Sequence, residues 1–286
     1  MTAKTDLAIV VLAAGKGTRM KSDLHKVLHP IAGRPMLEHL LASAAELTPQ
    51  RQVVIAGHGR EQLETQLGNR AVIAVQEPQL GTGHAVQQAE GALAGFSGDV
   101  LILYGDVPFV SAATMRAMIE RLHAADNPAV VVLGFEPADT LQYGRVIAEQ
   151  GRIVKMVEHK DASEAERACR LCNSGLMAAR SDQLFGLLAR VGNDNAAGEY
   201  YLVDVVNVAN ADGRLCAVVV TPDAHEVEGI NSRAELAEAE GRWQQRRRRA
   251  AMDDGATLIA PETVWFAWDT LLGRDEIGRA SCRERV

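Results

Sequence analysis

The sequence predicts an α/β fold, a mostly parallel sheet with helices on both faces. Three observations predict it. Apolar runs of strand length recur and alternate with segments of helical periodicity. The runs are apolar throughout, as strands covered on both faces are. Small, polar and charged residues follow directly after the runs, where the carboxyl ends of parallel strands place ligands.

Taken in order, the strand candidates are residues 7–14, 52–56, 71–75, 100–104 and 129–133, with helical periodicity at 35–47 and 61–67. Parallel neighbours need crossovers, which are right-handed as a rule. After Leu133 the runs shorten. Residues 145–148 and 153–157 flank Glu149-Gln150-Gly151, which predicts a hairpin added to the sheet. A last run follows at 216–220. Residues 232–252 are rich in Ala, Glu, Leu, Gln and Arg, with Ser232 as N-cap, and predict one long helix. Its Arg246-Arg247-Arg248-Arg249 run is expected to be a solvated helix end whose cations suit the C-terminal dipole. Residues 256–275 begin a second β module, and Leu272-Gly273 followed five residues on by Ile277-Gly278 hints at a short repeat. A β-solenoid needs about three turns to bury a core, more than this stretch holds. Residues 276–286, EIGRASCRERV, show neither period nor cap and are expected to be a non-native, mobile tail. The expected division is 1–231, 232–254 and 255–286.

Composition bounds the function. The chain has 286 residues, 47% hydrophobic and 23% charged, so it can bury a core. Its net charge of −7 argues against nucleic acid as a partner, which needs a basic face. No apolar stretch reaches the ~18 residues of a membrane span. The N-terminus lacks the cleavage site of a signal peptide. Four cysteines make no disulfide framework. The expected compartment is the cytoplasm.

The first candidate site residues follow the first strand: Gly15-Lys16-Gly17-Thr18-Arg19-Met20, then Lys26. Glycines let backbone amides approach a phosphate, and the two cations add charge beside them. A dinucleotide fingerprint would need Gly where Met20 stands, and a Walker A loop would end Gly-Lys-Ser/Thr. Neither motif is present, so the loop is read as a cradle for a nucleoside triphosphate outside both. Asp106, at the tip of the run 100–104, is a natural ligand for a hard cation such as Mg²⁺. Gln76 and Leu80-Gly81-Thr82-Gly83-His84-Ala85 suit hydrogen-bond reading of a base edge. Tyr143-Gly144-Arg145, Glu158-His159-Lys160, Asn173-Ser174-Gly175 and Glu228-Gly229-Ile230-Asn231 would each be a turn if taken singly. Cys169-x-x-Cys172 lacks the further ligands a zinc site needs.

Together, LAAGKGTRM, LGTGHA, YGDVP, YGR, VEHKDA, GEYYLVD and EVEGIN resemble the nucleotidyltransferase half of the bacterial bifunctional N-acetylglucosamine-1-phosphate uridylyltransferase/glucosamine-1-phosphate acetyltransferase family, from Leu7 to about Asp275. The resemblance implies a Rossmann-like sheet and formation of UDP-N-acetylglucosamine and pyrophosphate from UTP and N-acetylglucosamine 1-phosphate. It implies a backbone cradle at Leu12, Ala13, Ala14 and Gly15, and uracil and ribose contacts at Gln76, Gly81 and Thr82. Arg19 and Lys26 would hold phosphates, with Tyr104 and Gly105 beside the nucleotide. Asp106 and Asn231 would bind Mg²⁺, and Gly144, Glu158 and Asn173 the amino sugar. The chain departs from the family with His25 where Pro is usual before Lys26, and with CNSG at Asn173 where NTG is common. Family members continue into a left-handed β-helix that carries acetyl transfer and trimer assembly. Only its beginning is expected here, so acetyl transfer is expected to be absent and the chain monomeric.

The reaction implied is a direct displacement at the α-phosphorus. A sugar phosphate is already an ionised nucleophile, so no general-base histidine is required. Two readings from other classes compete. One is an NAD-type oxidoreductase with Glu38 on the ribose, which the missing third Gly opposes. The other is a non-catalytic nucleotide sensor. Within the enzyme class the runner-up is a related transferase with another sugar or base.

Overall fold

The computed structural model describes residues 5–140 and 142–278. Nine strands form one sheet: β1 Leu7–Leu12, β2 Arg51–Ala56, β3 Val72–Val75, β4 Asp99–Tyr104, β5 Val130–Phe135, β6 Arg145–Glu149, β7 Arg152–Val157, β8 Cys172–Arg180 and β9 Cys216–Val220. Their order is β3-β2-β1-β4-β8-β5-β9-β7-β6. The sheet is parallel along β3-β2-β1-β4 and between β5 and β9. It is antiparallel where β8 enters between β4 and β5. The sheet is therefore mixed. Strand β8 is the element the sequence reading lacks, because its polar start Asn173-Ser174-Gly175 looks like a turn. Those residues do distort the strand: register shifts between Asn173 and Met177, and Gly175 takes a positive φ of 88°. Ser174 Oγ holds the irregularity by donating to the Leu133 carbonyl at 2.6 Å. The first strand ends at Leu12, not at Ala14, so Ala13 and Ala14 belong to the loop that follows.

Alternation along the strands builds two cores. Ala8, Val10, Ile102 and Val130 face one cluster, with Leu184, Leu187 and Val206 from the helices over it. Ile9, Val11, Leu101 and Leu103 face the other, with Leu37, Leu40, Met115 and Met118. The helices are α1 Met36–Ala45, α2 Arg60–Leu67, α3 Thr82–Gln87, α4 Ala112–Leu122, α5 Glu164–Arg167, α6 Ser181–Leu188 and α7 Asp204–Ala211, and all but the short α5 bury residues in these cores. Burial on both faces explains why the strands read as unbroken apolar runs.

The long helix α8, Arg233–Asp253, opens on a capping box of Ser232 and Glu235, as the N-cap predicts. It is more than a linker. Leu236, Ala239 and Trp243 pack on Ile31, Met36 and Ile230. Its arginine run is solvated only in part: Arg246 and Arg249 are exposed, whereas Arg247 and Arg248 are half-buried. Arg247 donates to the Thr270 carbonyl at 2.7 Å and Arg248 to that of Pro261 at 2.8 Å, while Arg246 lies over the Phe109 ring. Carbonyls of the C-terminal segment attract these cations and tie that segment to the helix. Buried Gln244 adds a two-way amide clamp on the Phe266 backbone.

Thr257–Leu258 and Ile277–Gly278 pair in parallel as a separate two-stranded sheet. Thr257 N–H donates to the Glu276 carbonyl at 2.8 Å. The backbone of residues 276–278, inside the expected tail, is thus hydrogen-bonded to that of residues 257–259, while the Ile277 side chain stays exposed. Gly278 sits against Leu258, where an added Cβ would come within 2.8 Å of a methyl. Residues 279–286 of the expected tail lie outside the described residues. No helix among the described residues is long and apolar enough to cross a membrane.

Phe135 is fully buried at the end of β5, with its ring edge-to-face on Tyr143 at 4.9 Å and 84°. Phe135→Ala should lower unfolding free energy by about 3–5 kcal/mol, read as a shift in urea midpoint with unchanged slope.

Candidate active site

The parallel strands β1, β2, β3 and β4 end on one side, and the segments after β1, β3 and β4 line a cleft of about 350 Å³. After β1, Leu12, Ala13, Ala14 and Gly15 line it. The chain then turns through Gly17 at φ 59°, where a Cβ would stand 2.7 Å from Lys26 Cβ. Glycine there lets the loop after β1 lie directly on the segment that carries Lys26. Gly105 closes the same corner, donating its N–H to the Leu12 carbonyl at 2.9 Å.

Lys26 is the centre of the site. Its ammonium bonds the Asp106 carboxylate and donates to Asn231 Oδ1 at 3.0 Å. Three segments far apart in sequence meet at this one cation. The partners are fixed from behind. The Asp106 carbonyl accepts from Ile230 N–H at 2.9 Å. Asn231 N–H and Ser232 N–H both donate to Glu235 of the α8 capping box. Arg19 stands apart on the exposed side of the loop, makes no ion pair among the described residues and does not line the cleft.

Opposite the loop, buried Gln76 donates from Nε2 to the Gly81 carbonyl at 2.9 Å and to His84 Nδ1 at 3.1 Å. With its nitrogen engaged, the amide offers an acceptor oxygen to the cleft. Gly81 and Thr82 line the cleft beside it. A strap, residues 199–203, lies against them: Gly83 N–H donates to Tyr200 O at 2.8 Å, and Tyr200 N–H to Leu80 O at 2.8 Å. Leu202 N–H donates to Thr82 Oγ1 at 3.0 Å. Gly81, at φ 114°, has room for no Cβ, which would come within 2.6 Å of Tyr200 O.

Tyr104 connects this cleft to a second group. Its ring packs on Gly175, where a Cβ would stand 2.7 Å from it. Burial, and then the Glu158 charge, push the Tyr104 phenol above its ordinary range, so it stays a neutral donor. Glu158 is itself pushed up by burial and by Asp204, Asp161 and Glu199. Glu158 faces Gly144, 3.3 Å from where a Cβ would be, and Asn173 N–H donates to the Gly144 carbonyl at 2.9 Å. The structure thus gathers Gly144, Glu158 and Asn173 as one edge. Sequence reasoning missed Gln79, whose amide bonds the Ala14 carbonyl, and Glu199, both lining the cleft. Their position inside QEPQLGTGHA and GEYYLVD was the available signal.

The competing ribose acid is ruled out by geometry. Glu38 is buried and held by Arg70 through two bonds of 2.5 and 2.7 Å, which keep its carboxyl below the usual range. Among the described residues no group of three or more His, Cys, Asp or Glu is placed to hold a metal, and Cys169 and Cys172 are unpaired.

A family model described as the MobA-like NTP transferase domain matches residues 9–168. The chain belongs to that family. Among curated relatives, the chain is 85% identical over 269 residues to the bifunctional protein GlmU of Novosphingobium aromaticivorans, covering 94% of this chain and 60% of that protein. It is 73% identical over 269 residues to the bifunctional protein GlmU of Sphingopyxis alaskensis, covering 94% and 59%. The chain therefore spans about 60% of the length of these relatives. In fold it is similar to a putative glucose-1-phosphate thymidylyltransferase from Bacillus anthracis, with TM-score 0.66, 17% identity and coverage of 82% and 94%. It is also similar to a UDP-glucose pyrophosphorylase solved with UDP-glucose, with TM-score 0.63, 19% identity and coverage of 85% and 100%. An NTP transferase domain accounts for a Gly-rich phosphate loop that fits neither common nucleotide motif.

His25, beside Lys26, is buried, and neither ring nitrogen has a hydrogen-bond partner. Burial first, then the Lys26 charge, lower its pKa from 6.5 to about 4. Between those values the unfolded chain binds a proton that the folded chain does not, so stability should fall as pH drops from 6.5 to about 4. His25→Gln should flatten that stretch of a melting-temperature profile. An unchanged slope would place the titration elsewhere.

Proposed function

We propose that this chain transfers uridylyl from UTP to N-acetylglucosamine 1-phosphate, giving UDP-N-acetylglucosamine and pyrophosphate. The observation that carries the reading is the Lys26 ammonium held between Asp106 and Asn231 at the rim of a Gly-lined cleft. The 85% identity to a bifunctional GlmU protein and the motif resemblance support it. So does Gln76: a free amide oxygen accepts from the N3–H of uracil or thymine and has no donor to meet in cytosine at that position.

In the displacement, a phosphate oxygen of the sugar phosphate forms the new P–O bond at the α-phosphorus. The bond to the β-phosphate oxygen breaks, and pyrophosphate takes the electron pair. No proton has to move, so the residues work by positioning and charge. Leu12, Ala13, Ala14 and Gly15 cradle the nucleotide, with Gln76, Gly81 and Thr82 on base and ribose. Tyr104 and Gly105 close the side. Lys26 and Arg19 meet phosphate oxygens as negative charge gathers on the leaving pyrophosphate. Gly144, Glu158 and Asn173 face the amino sugar.

Asp106 and Asn231 fit a magnesium ion. Both present oxygen, the donor a hard cation prefers, and both already share one cation in Lys26. When bound, magnesium supplies charge neutralisation and alignment of the two phosphate-bearing substrates. We further propose that residues 1–231 carry the catalytic and binding groups, with α8 holding Asn231 in place, in a cytoplasmic enzyme whose partners are these small substrates. The related reading, another sugar or pyrimidine, predicts a different preferred pair in the same assay.

The test is pyrophosphate release across UTP, dTTP, CTP and ATP with several sugar 1-phosphates. UTP with N-acetylglucosamine 1-phosphate should lead, and no release from any pair would leave only a nucleotide-binding role. Asp106→Ala should lower turnover by about two or more orders of magnitude with the fold intact by circular dichroism. Arg19→Ala should lower kcat more than it raises KM, because the charge it meets grows in the transition state. A change in KM alone would assign Arg19 to ground-state binding.

A further inference from the structure

Arg145 is 2% exposed and is among the largest fully buried side chains of the protein. Among the described residues no carboxylate pairs with it; the ion pairs lie elsewhere. Its guanidinium instead donates to oxygens: to the Tyr143 carbonyl, to Thr140 Oγ1 at 3.0 Å and to the Arg167 carbonyl at 3.3 Å. Removing a cation from water with no opposite charge is unfavourable by several kcal/mol, and stability alone would favour an apolar side chain here. The arrangement needs another reason, and the peptide beside it supplies one.

Arg145 holds the carbonyl of the Tyr143–Gly144 peptide. In a planar trans peptide the C=O and the following N–H point in opposite directions. With the Tyr143 carbonyl turned onto the guanidinium, the Gly144 N–H points away from it. Among the described residues that N–H makes no hydrogen bond. Gly144 also faces Glu158 and accepts from Asn173 through its own carbonyl. The free donor therefore belongs to the edge assigned above to the sugar.

We infer that Arg145 is a positioning residue: it fixes the Tyr143–Gly144 peptide so that the Gly144 N–H is aimed at an oxygen of the sugar phosphate's sugar. The inference rests on the proposed uridylyl transfer and adds a residue that touches no substrate. Thr140 takes part, because its hydroxyl takes one arm of the fork and its loop carries Tyr143. Lysine cannot replace the fork, since one ammonium cannot span oxygens from Thr140, Tyr143 and Arg167 in a fixed plane.

The experiment measures both KM values and kcat for the wild type, Arg145→Lys, Arg145→Met and Thr140→Val. Arg145→Met should raise the KM for N-acetylglucosamine 1-phosphate about tenfold, the scale of one misaimed hydrogen bond, with the KM for UTP within about twofold. Arg145→Lys should fall between it and the wild type, and Thr140→Val should shift the same KM by a smaller factor. Where Arg145→Met does not fold, the Lys and Thr140 variants carry the test. Equal rises in both KM values, or an unchanged sugar KM in folded variants, would overturn the positioning role. A wild type inactive with every substrate pair would instead overturn the proposed reaction, so the two failures are distinguishable.

Discussion

The site depends on one half-buried contact, the Lys26 ammonium shared by Asp106 and Asn231. A lysine, a strand tip and the residue before a helix, separated by 80 and 205 positions from the lysine, are held within bonding distance of one nitrogen. Each partner is locked by other parts of the fold. Asp106 follows β4, which pairs with β1 along its length, so the phosphate loop and the carboxylate leave the sheet side by side. Asn231 precedes Ser232, so the cap of α8 fixes it. The sheet supplies two corners of the contact and the helix the third.

This explains why α8 is packed rather than free. A helix that only linked two modules would let Asn231 drift. Here Trp243, Ala239 and Leu236 seat it on the segment around Ile31, and the Glu240 carboxylate accepts from Ala32 N–H at 2.6 Å. The arginines beyond it then hold residues 261–270 against the same helix.

Much of this was legible from residues alone. Burial on both faces leaves an unambiguous trace, so the strands of the parallel half were found within a residue or two. The hairpin was visible because Gln150 and Gly151 both take positive φ, which the sequence Glu-Gln-Gly advertises. Strand β8 was hidden because its first residues spend their polar groups on a bulge rather than on a ladder. The roles of the Arg246–Arg249 run and of Ile277–Gly278 were hidden for another reason. Both depend on partners about twenty residues away, such as Thr270 and Thr257, and no local period records a partner at that distance. The candidate site was legible at the phosphate loop, where chemistry and backbone demands coincide. Beyond it, Gly144, Glu158 and Asn173 looked like turns until one sheet brought them together, and Asn231 until the α8 cap fixed it.

The contact between Gly81-Thr82-Gly83 and the strap at Tyr200 and Tyr201 has a further consequence for how the protein can change. At Gly81 and Gly83 two backbones touch with no side chain between them, so there is no compressible layer to absorb a mutation at either glycine. A new residue at Gly81 would require the strap to retreat, and the strap also carries Glu199 and leads into Asp204, which bear on Glu158. Residues 81–83 and the acids around Glu158 are therefore mechanically one part. On the function proposed above, divergence toward another base would disturb the sugar edge, so base and sugar preference should change together in descendants of this fold rather than one at a time.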